Sequence, residues 1–322
     1  IDGCTFDSNE ALKAGGAIAA RAGVSLVVTR SHFRHNMAGT FGGTVYFGNV
    51  AGRPGSLRFS SSEVEGDEAV IKGGALACDQ DTTSSVTFTL HDFVIGGAQV
   101  QGDGGGMYFA CSSLNASAGA FRGNRAREGN GGAVVLSSAV ACGSASGAPL
   151  FDDVAFERNY ASVGGGVVFF DHADVQCGLP LLVDGSLNAT DGAIWRWSDF
   201  GSSVFGNEAS YGVLQATAPA TITAQCVDAG GLGGCSTMTE GPSTLVSYVS
   251  AFPGMGVQVL LAMRDAFGQK VQGENAGAGV QVQVEFTDAS SGFSTQGLRR
   301  FWFEAGEVLT SGLSVVGGDA GE

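Results

Sequence analysis

The sequence predicts an all-β protein, with a solenoid of short stacked coils followed by an antiparallel β-sandwich. Three observations carry this expectation: an excess of glycine, a repeat that recurs seven times, and a late switch to strict hydrophobic alternation. The chain holds 53 glycines and 6 prolines in 322 residues, a glycine share well above the usual value of roughly 7%. No Gly-X-Y period accompanies it, which excludes collagen. Hydrophobic residues make up 44% and charged residues 15%, too apolar and too weakly charged for a disordered chain. Many glycines among β-branched residues imply short strands joined by tight turns.

The repeat justifies the first element. The segments FDSNEALKAGGAI from Phe6, FRHNMAGTFGGTV from Phe33, VEGDEAVIKGGAL from Val64 and FVIGGAQVQGDGGGMYF from Phe93 align with one another. So do FRGNRAREGNGGAVV from Phe121, FERNYASVGGGVVFF from Phe156 and the worn copy VFGNEASYGVL from Val204. Three positions after the large apolar residue stand Asn9, Asn36, Asp67, Gly96, Asn124, Asn159 and Asn207. Five positions after it stand Ala11, Ala38, Ala69, Ala98, Ala126, Ala161 and Ala209. The intervals are 27, 31, 29, 28 and 35 residues, and then 48 across an insertion.

The text between copies, such as GGAIAA and VSLVVT, is short and β-branched, and no unit has an apolar period of 3.6. Each unit therefore reads as one coil of two or three strands, with neighbouring coils about 4.8 Å apart. On that spacing Phe6, Phe33, Phe93, Phe121 and Phe156 form an interior aromatic stack. Asn9, Asn36, Asn124, Asn159 and Asn207 form an amide ladder and tolerate a left-handed turn. The Ala column marks a tight interior. The Gly pair supplies φ > 0 and close backbone approach.

The pairing of F-x-x-N with GG[AVIL], recurring in order over roughly residues 1–215, resembles the repeats of chlamydial polymorphic outer membrane proteins and of large algal surface proteins. The resemblance implies a right-handed parallel β-helix, pectin-lyase-like in architecture, used for adhesion or surface structure. The copies from Val64, Phe93 and Val204 depart from the pattern, and irregular coils are expected there. The residues after the Phe column, Asp7, Arg34, Glu65, Val94, Arg122 and Glu157, predict an ion-pair ladder on the solvated edge, at roughly 0.2–1 kcal/mol per contact. Recruitment of anions by Arg122, Arg125 and Arg127 is the functional alternative.

Seven cysteines are dispersed without a C-x-x-C pair, and histidine is scarce, so no zinc site and no cofactor is expected. Adjacent coils suit the Cα separation of a disulfide, about 4.4–6.8 Å. Cys78–Cys111 and Cys142–Cys177 are predicted as inter-coil bridges, and Cys226–Cys235 as the closure of CVDAGGLGGC. Cys4 is left over, its partner expected upstream. The sequons at Asn115 and Asn188, with the cysteines, place the chain outside the cell or at its surface. The chain opens on Ile1 without Met or signal peptide and reads as an excerpt of a longer protein.

After Gly241 the repeat is gone. Val280, Val282, Val284 and Phe286 alternate strictly and RRFWFEAG follows, which predicts the antiparallel sandwich. The pattern DAFGQKV…GVQVQVEF resembles the D-x-x-G-x-x-V…V-x-F pattern of bacterial-type Ig-like modules, which implies spacing or adhesion. The expected organisation is a β-helix over 1–225, a Cys-bracketed linker over 226–241 and an Ig-like sandwich over 242–322.

A net charge of −15 removes nucleic-acid binding, which needs a basic footprint. No apolar run reaches the 18 residues of a membrane span. The carboxylate candidates for polysaccharide cleavage are Asp79/Asp81, Asp152/Asp153 and Asp171/His172/Asp174. None recurs in one column with Arg or Lys on adjacent coils, and turn or loop solvation is the better reading. The GDGGG at Gly102 fails as a phosphate loop, since no helix follows. Trp195 and Trp197, in an excursion from Asp171 to Ser203, can stack on sugars or cap the Phe stack.

The expected function is a non-enzymatic structural or adhesive segment of a large extracellular protein in a fibre, a surface hair such as a ciliary mastigoneme, or a cell wall. Its partners would be other modules of the same assembly, and glycans. The alternative is a polysaccharide-binding or polyuronide-cleaving domain.

Overall fold

The computed structural model describes residues 1–21, 23–48, 53–79, 86–137, 150–171, 204–217, 219–226, 235–240, 243–248, 256–265, 268–272, 281–283, 293–296, 300–304 and 307–317. The chain divides into two units, Ile1–Ala218 and Pro219–Glu322. All regular elements among the described residues are strands.

The first unit is a parallel β-solenoid. One sheet runs through Thr5–Asp7, His32–Arg34, Gly55–Glu65, Val86–Gly96, Ser113–Arg122, Leu150–Glu157 and Val204–Phe205, with Ser25–Thr29 paired to Gly55–Glu65. A second sheet stacks two- to five-residue strands from Glu10–Ala11 to Glu208–Tyr211, and a third runs from Ile18–Arg21 to Gln215–Thr217. Each coil contributes one strand to each sheet, except that Ser25–Thr29 and His32–Arg34 both pair with Gly55–Glu65 in the first. The Asn column turns the corner from the first sheet to the second, and the Gly pair opens the third.

Strand register defines the Phe column as Phe6, Phe33, Val64, Ile95, Phe121, Phe156 and Val204, numbered coils 1 to 7. This corrects the sequence alignment in coil 4. Ile95, not Phe93, pairs with Val64 and Phe121, while Phe93 pairs with Ser62 and Gly119. Every downstream assignment in that coil moves by two residues. Ala98 stands in the Asn column, its N–H donating to Asn124 Oδ1 at 3.1 Å. Val100 stands in the Ala column between Ala69 and Ala126, so that column is not all alanine. In the edge column Gly96 replaces Val94.

Backbone conformation shows why the register falls there. The residue before the Asn column is left-handed throughout: Ser8, His35, Gly66, Gly97, Gly123, Arg158 and Gly206 have φ between 52° and 69°. The left-handed turn thus belongs to the residue before the Asn rather than to the Asn itself. In coil 4 the residue that meets this need is Gly97. A second left-handed column, Arg30, Ser61, Asp92, Ala118 and Asp153, bends the long strands of the first sheet.

The aromatic stack is discontinuous. Phe6 and Phe33 lie parallel at 4.9 Å, as do Phe121 and Phe156 at 5.4 Å. Where Val64 and Ile95 interrupt the column, aromatics from neighbouring positions fill the space. Phe59 leans on Phe33 at 5.9 Å, and Phe93 meets the edge of Phe121 at 5.4 Å. Phe93 fits because Gly119 has no side chain: a Cβ there would come within 2.3 Å of its ring.

Cys78 and Cys111 form a disulfide between coils 3 and 4, with Cα atoms 5.9 Å apart across a separation of 33 residues. Loop-closure entropy sets its contribution at about 3–4 kcal/mol. Cys78→Ser is therefore expected to lower the urea midpoint, and reductant is expected to destabilise the parent but not the variant. Equal sensitivity of the two to reductant would count against the bridge. Cys4 is exposed and free. Cys142 and Cys177 lie outside the described residues.

The second unit is antiparallel. A four-stranded sheet has the order Pro219–Cys226, Gly256–Asp265, Glu307–Gly317, Phe293–Gln296. Two ribbons accompany it, Cys235–Glu240 with Ser243–Tyr248 and Gln281–Gln283 with Arg300–Trp302. Residues 219–225, expected in the helix, thus belong to this unit, and the expected linker over 226–241 includes a strand. The side chains of Cys226 and Cys235 lie outside the described residues. The D-x-x-G-x-x-V motif has a local explanation. Asp265 is buried and its carboxylate accepts from Gln269 N–H at 2.8 Å, around a turn at Gly268 with φ of 76°. The buried Val271 then returns to pair with Met263.

Candidate functional site

In the third sheet the first and third residues of the strands from Val45–Gly48 to Val168–Phe170, such as Val45 and Phe47, point into the core. Strand alternation puts the middle residue on the opposite face. That column reads Ala19, Tyr46, Ala77, Tyr108, Val135, Phe169 and Ala216. The residue before each Gly pair lies beside it, and Ala14, Phe41, Lys72 and Asp103 are bridged in sequence.

These columns assemble one mixed aromatic and charged cluster. Phe41 and Tyr46 stack at 5.8 Å. Lys72 Nζ lies 4.0 Å from the Tyr108 ring centroid and donates to Tyr108 OH at 2.7 Å. Tyr108 OH in turn donates to Asp171 Oδ2 at 3.4 Å. Burial works against the Lys72 charge, but the Tyr108 hydroxyl and the Asp171 and Asp79 carboxylates outweigh it and hold its pKa above the ordinary lysine value. Burial raises the Tyr108 pKa, and burial with the Asp79 charge raises that of Tyr46. At neutral pH Lys72 is therefore an ammonium and Tyr46 and Tyr108 are neutral phenols. A lysine or tyrosine acting as a general base needs a pKa shifted the other way.

The structure brings Asp79 and Asp171, two sequence candidates, near a lysine that the sequence motifs do not join to them. The signal is nonetheless present in the repeat. Positions one before the Gly pair and four after the first glycine are outward columns, and they hold Phe41/Tyr46, Lys72/Ala77 and Asp103/Tyr108. Asp152 and Asp153 are both exposed, and Asp153 takes the left-handed bend with φ of 52°. The GDGGG stretch is structural too: Asp103 Oδ1 accepts from Asn130 N–H at 2.8 Å and from its Nδ2 at 3.1 Å. Asp81, His172, Asp174, Trp195, Trp197 and Asn188 lie outside the described residues.

Asn115 is exposed on Ser113–Arg122, between Thr89 and Leu150 in register. On the edge column Arg34 pairs with Glu65 at 3.6 Å and Arg122 with Glu157 at 3.1 Å. Arg127 donates from Nε to Gln99 at 3.1 Å and lies 4.0 Å from Glu68. Two of the three arginines of the anion patch are thus engaged with protein groups. Among the described residues no group of three or more His, Cys, Asp and Glu side chains could hold a metal ion.

The amide ladder is the other built polar feature. Asn36 Oδ1 accepts from Asn9 N–H at 3.1 Å and Nδ2 at 2.7 Å, while Asn36 Nδ2 donates to Phe6 O at 3.2 Å. Coils 5 to 7 repeat the pattern. Asn159 Oδ1 takes Asn124 N–H and Nδ2, and Asn207 Oδ1 takes those of Asn159. Ala98 splits the ladder, because a methyl group cannot receive the N–H of the coil before it.

At the split sits Asp67, fully buried. Burial pushes its carboxyl above the usual range, against hydrogen bonds from Thr44 and Asn36 that favour the ionised form. The folded state then holds this proton more tightly than the unfolded chain. Stability contributed here is therefore present at low pH and is lost as pH rises from the ordinary value of 3.8 through the raised folded value. Asp67→Asn is expected to stabilise the chain at neutral pH by about 1–2 kcal/mol, because Nδ2 can donate to Phe33 O as its counterparts do. The gain should vanish on acidification. A gain that is constant with pH in urea titrations would refute the buried charge as its source.

Comparison of the chain with protein-family models, with curated proteins and with solved structures returns no match to any of them.

Proposed function

We propose that this chain is a non-enzymatic structural and adhesive segment of a large extracellular or cell-surface protein. It would be a right-handed, Pmp-like β-helix followed by an Ig-like module within a fibre, a surface hair such as a ciliary mastigoneme, or a cell wall. The observation that carries the reading is the buried amide ladder. Its side chains are committed to the neighbouring coil, as Asn159 is to both Asn124 and Asn207, so the repeated chemistry of the chain makes stiffness and length. The disulfide between coils and the exposed sequon at Asn115 support an oxidising, glycosylating compartment. Antibodies against the chain should label intact, unpermeabilised cells of the source organism in linear surface arrays. Label that appears only after permeabilisation would overturn the proposal.

A second reading, binding of an acidic polysaccharide, is favoured by the half-buried Phe41, Tyr46 and Lys72 on one sheet face. It predicts glycan-array signal that falls when Lys72 is replaced by Gln or Tyr46 by Ala. Calcium-dependent depolymerisation across a polyuronide panel would instead establish the cleaving alternative.

A further inference from the structure

The sequon Asn115-Ala116-Ser117 lies in a strand that is paired on both edges. Asn115, Ala116 and Ser117 are in register with Thr89, Leu90 and His91 of coil 4 on one side. Leu150, Phe151 and Asp152 of coil 6 flank them on the other. Ala116 is 0% exposed and points into the core, so strand alternation puts Asn115 on the outer face of the first sheet, where it is exposed. Ser117 is half-buried, and its Oγ shares a hydrogen bond with His91 Nδ1 at 2.9 Å. Just upstream, Cys111 ties the same segment to Cys78 in coil 3.

Transfer of a glycan to Asn115 forms a bond from its Nδ2 to the anomeric carbon of an oligosaccharide carried on a lipid diphosphate. The bond from that carbon to the diphosphate oxygen breaks. The lipid diphosphate leaves with the electron pair, and one Nδ2 proton passes to a basic group of the transferase. A carboxamide nitrogen is a weak nucleophile, because its lone pair is delocalised into the carbonyl. The enzyme therefore has to grip the amide together with the hydroxyl two residues on, which demands a cleft closed around the whole tripeptide. In the folded chain no such grip is available. The tripeptide backbone carries a strand on each edge, the middle side chain is in the core, and the hydroxyl is held by His91. The glycosylated product has no such conflict, because Asn115 already faces solvent and a glycan there displaces no packed group.

We infer that Asn115 is a glycosylation site of the unfolded chain only: transfer precedes the stacking of coils 4, 5 and 6, and the folded solenoid is closed to it. The window closes when coil 5 docks on coil 4, and coil 6 then seals the second edge. A sequon missed in that window stays bare, so occupancy at Asn115 records how fast these coils stack. The order of events in the cell rests on the extracellular reading above. The closure of the folded sequon rests on strand pairing alone.

The test uses the full chain carrying Asn188→Gln, made in a host without N-glycosylation and offered to a purified oligosaccharyltransferase with its lipid-linked donor. One sample is folded with the Cys78–Cys111 bridge closed. The other is reduced and carboxymethylated in denaturant, so that these two fully buried residues cannot return to the core. Mass spectrometry should find Asn115 modified in the second sample at least about a hundredfold faster than in the first, a margin set by the small unfolded population of a stable domain. Comparable rates would overturn the closure, and no modification in either sample would overturn Asn115 as an acceptor. When the same chain is made in a glycosylating host, the glycan-bearing form should keep the urea midpoint of the bare form. A glycan that abolishes cooperative unfolding would refute the placement of Asn115 on the outer face. The transfer assay presumes no compartment, so its failure is distinct from failure of the extracellular reading, which the surface labelling tests.

Discussion

Gly105→Ala should destabilise the solenoid by more than about 4 kcal/mol, a loss found only where a substitution breaks packing outright. The added methyl would lie 2.2 Å from Gly132 O and 2.7 Å from Arg125 N. Both are backbone atoms held in the ladder of the next coil, so neither can swing away as a side-chain tip can. Relief requires separating two coils, and that costs hydrogen bonds in all three sheets. The informative control is Gly123→Ala. Gly123 has φ of 62°, but a methyl at this position would meet nothing within 4 Å, so only left-handed strain of about 1–2 kcal/mol applies. Urea unfolding followed by far-UV circular dichroism measures both. Equal losses would mean that backbone conformation, not coil-to-coil approach, is what the second glycine serves.

Asn159→Leu should cost about 3–5 kcal/mol, the second largest effect. Its Oδ1 accepts from Asn124 N–H at 3.1 Å and from Asn124 Nδ2 at 2.9 Å. Its Nδ2 donates to Phe121 O at 3.0 Å and to Asn207 Oδ1 at 2.9 Å. All these groups are buried away from water, and each buried donor or acceptor left alone costs about 1–3 kcal/mol, with incomplete additivity. Leucine matches the volume, so packing loss does not confuse the result. Asn9→Leu removes the exposed end rung and should cost less than about 1 kcal/mol. A similar loss at both sites would sink the idea that the buried ladder stabilises the stack.

The columns were legible because a solenoid repeats its environment at fixed sequence offsets, and each column keeps one residue type in most coils. The failure in coil 4 is instructive for the same reason. FVIGGAQV offers large residues at both Phe93 and Ile95 and small ones at both Gly96 and Ala98. Aligning on the aromatic ring chose Phe93, whereas the backbone requires a left-handed residue before the Asn column, which only Gly97 supplies in that frame. Phe93 could then be spared for another task, filling the space that Gly119 leaves. Conformation outranked side-chain identity. The 225/226 boundary was misplaced for a related reason: Pro219–Cys226 alternates like a solenoid strand, and only its antiparallel pairing with Gly256–Asp265 assigns it to the second unit.

By itself the sequence determined the repeating coil, its all-β character, the interior Phe and Asn columns and the Cys78–Cys111 pairing. The columns depend on residues at one offset meeting their counterparts one coil away, and the bridge on two cysteines within two residues of one offset. Tertiary structure alone decided what different columns do to one another. Lys72 reaches Tyr108 across 36 residues, and Asp171 joins them two coils beyond Tyr108. Those contacts depend on side-chain reach and on how each loop length sets the coils in register, which no offset encodes. The two glycines show the division most clearly. Their pairing is plain in the sequence, but that one serves its own φ and the other the next coil's carbonyl is a fact of stacking.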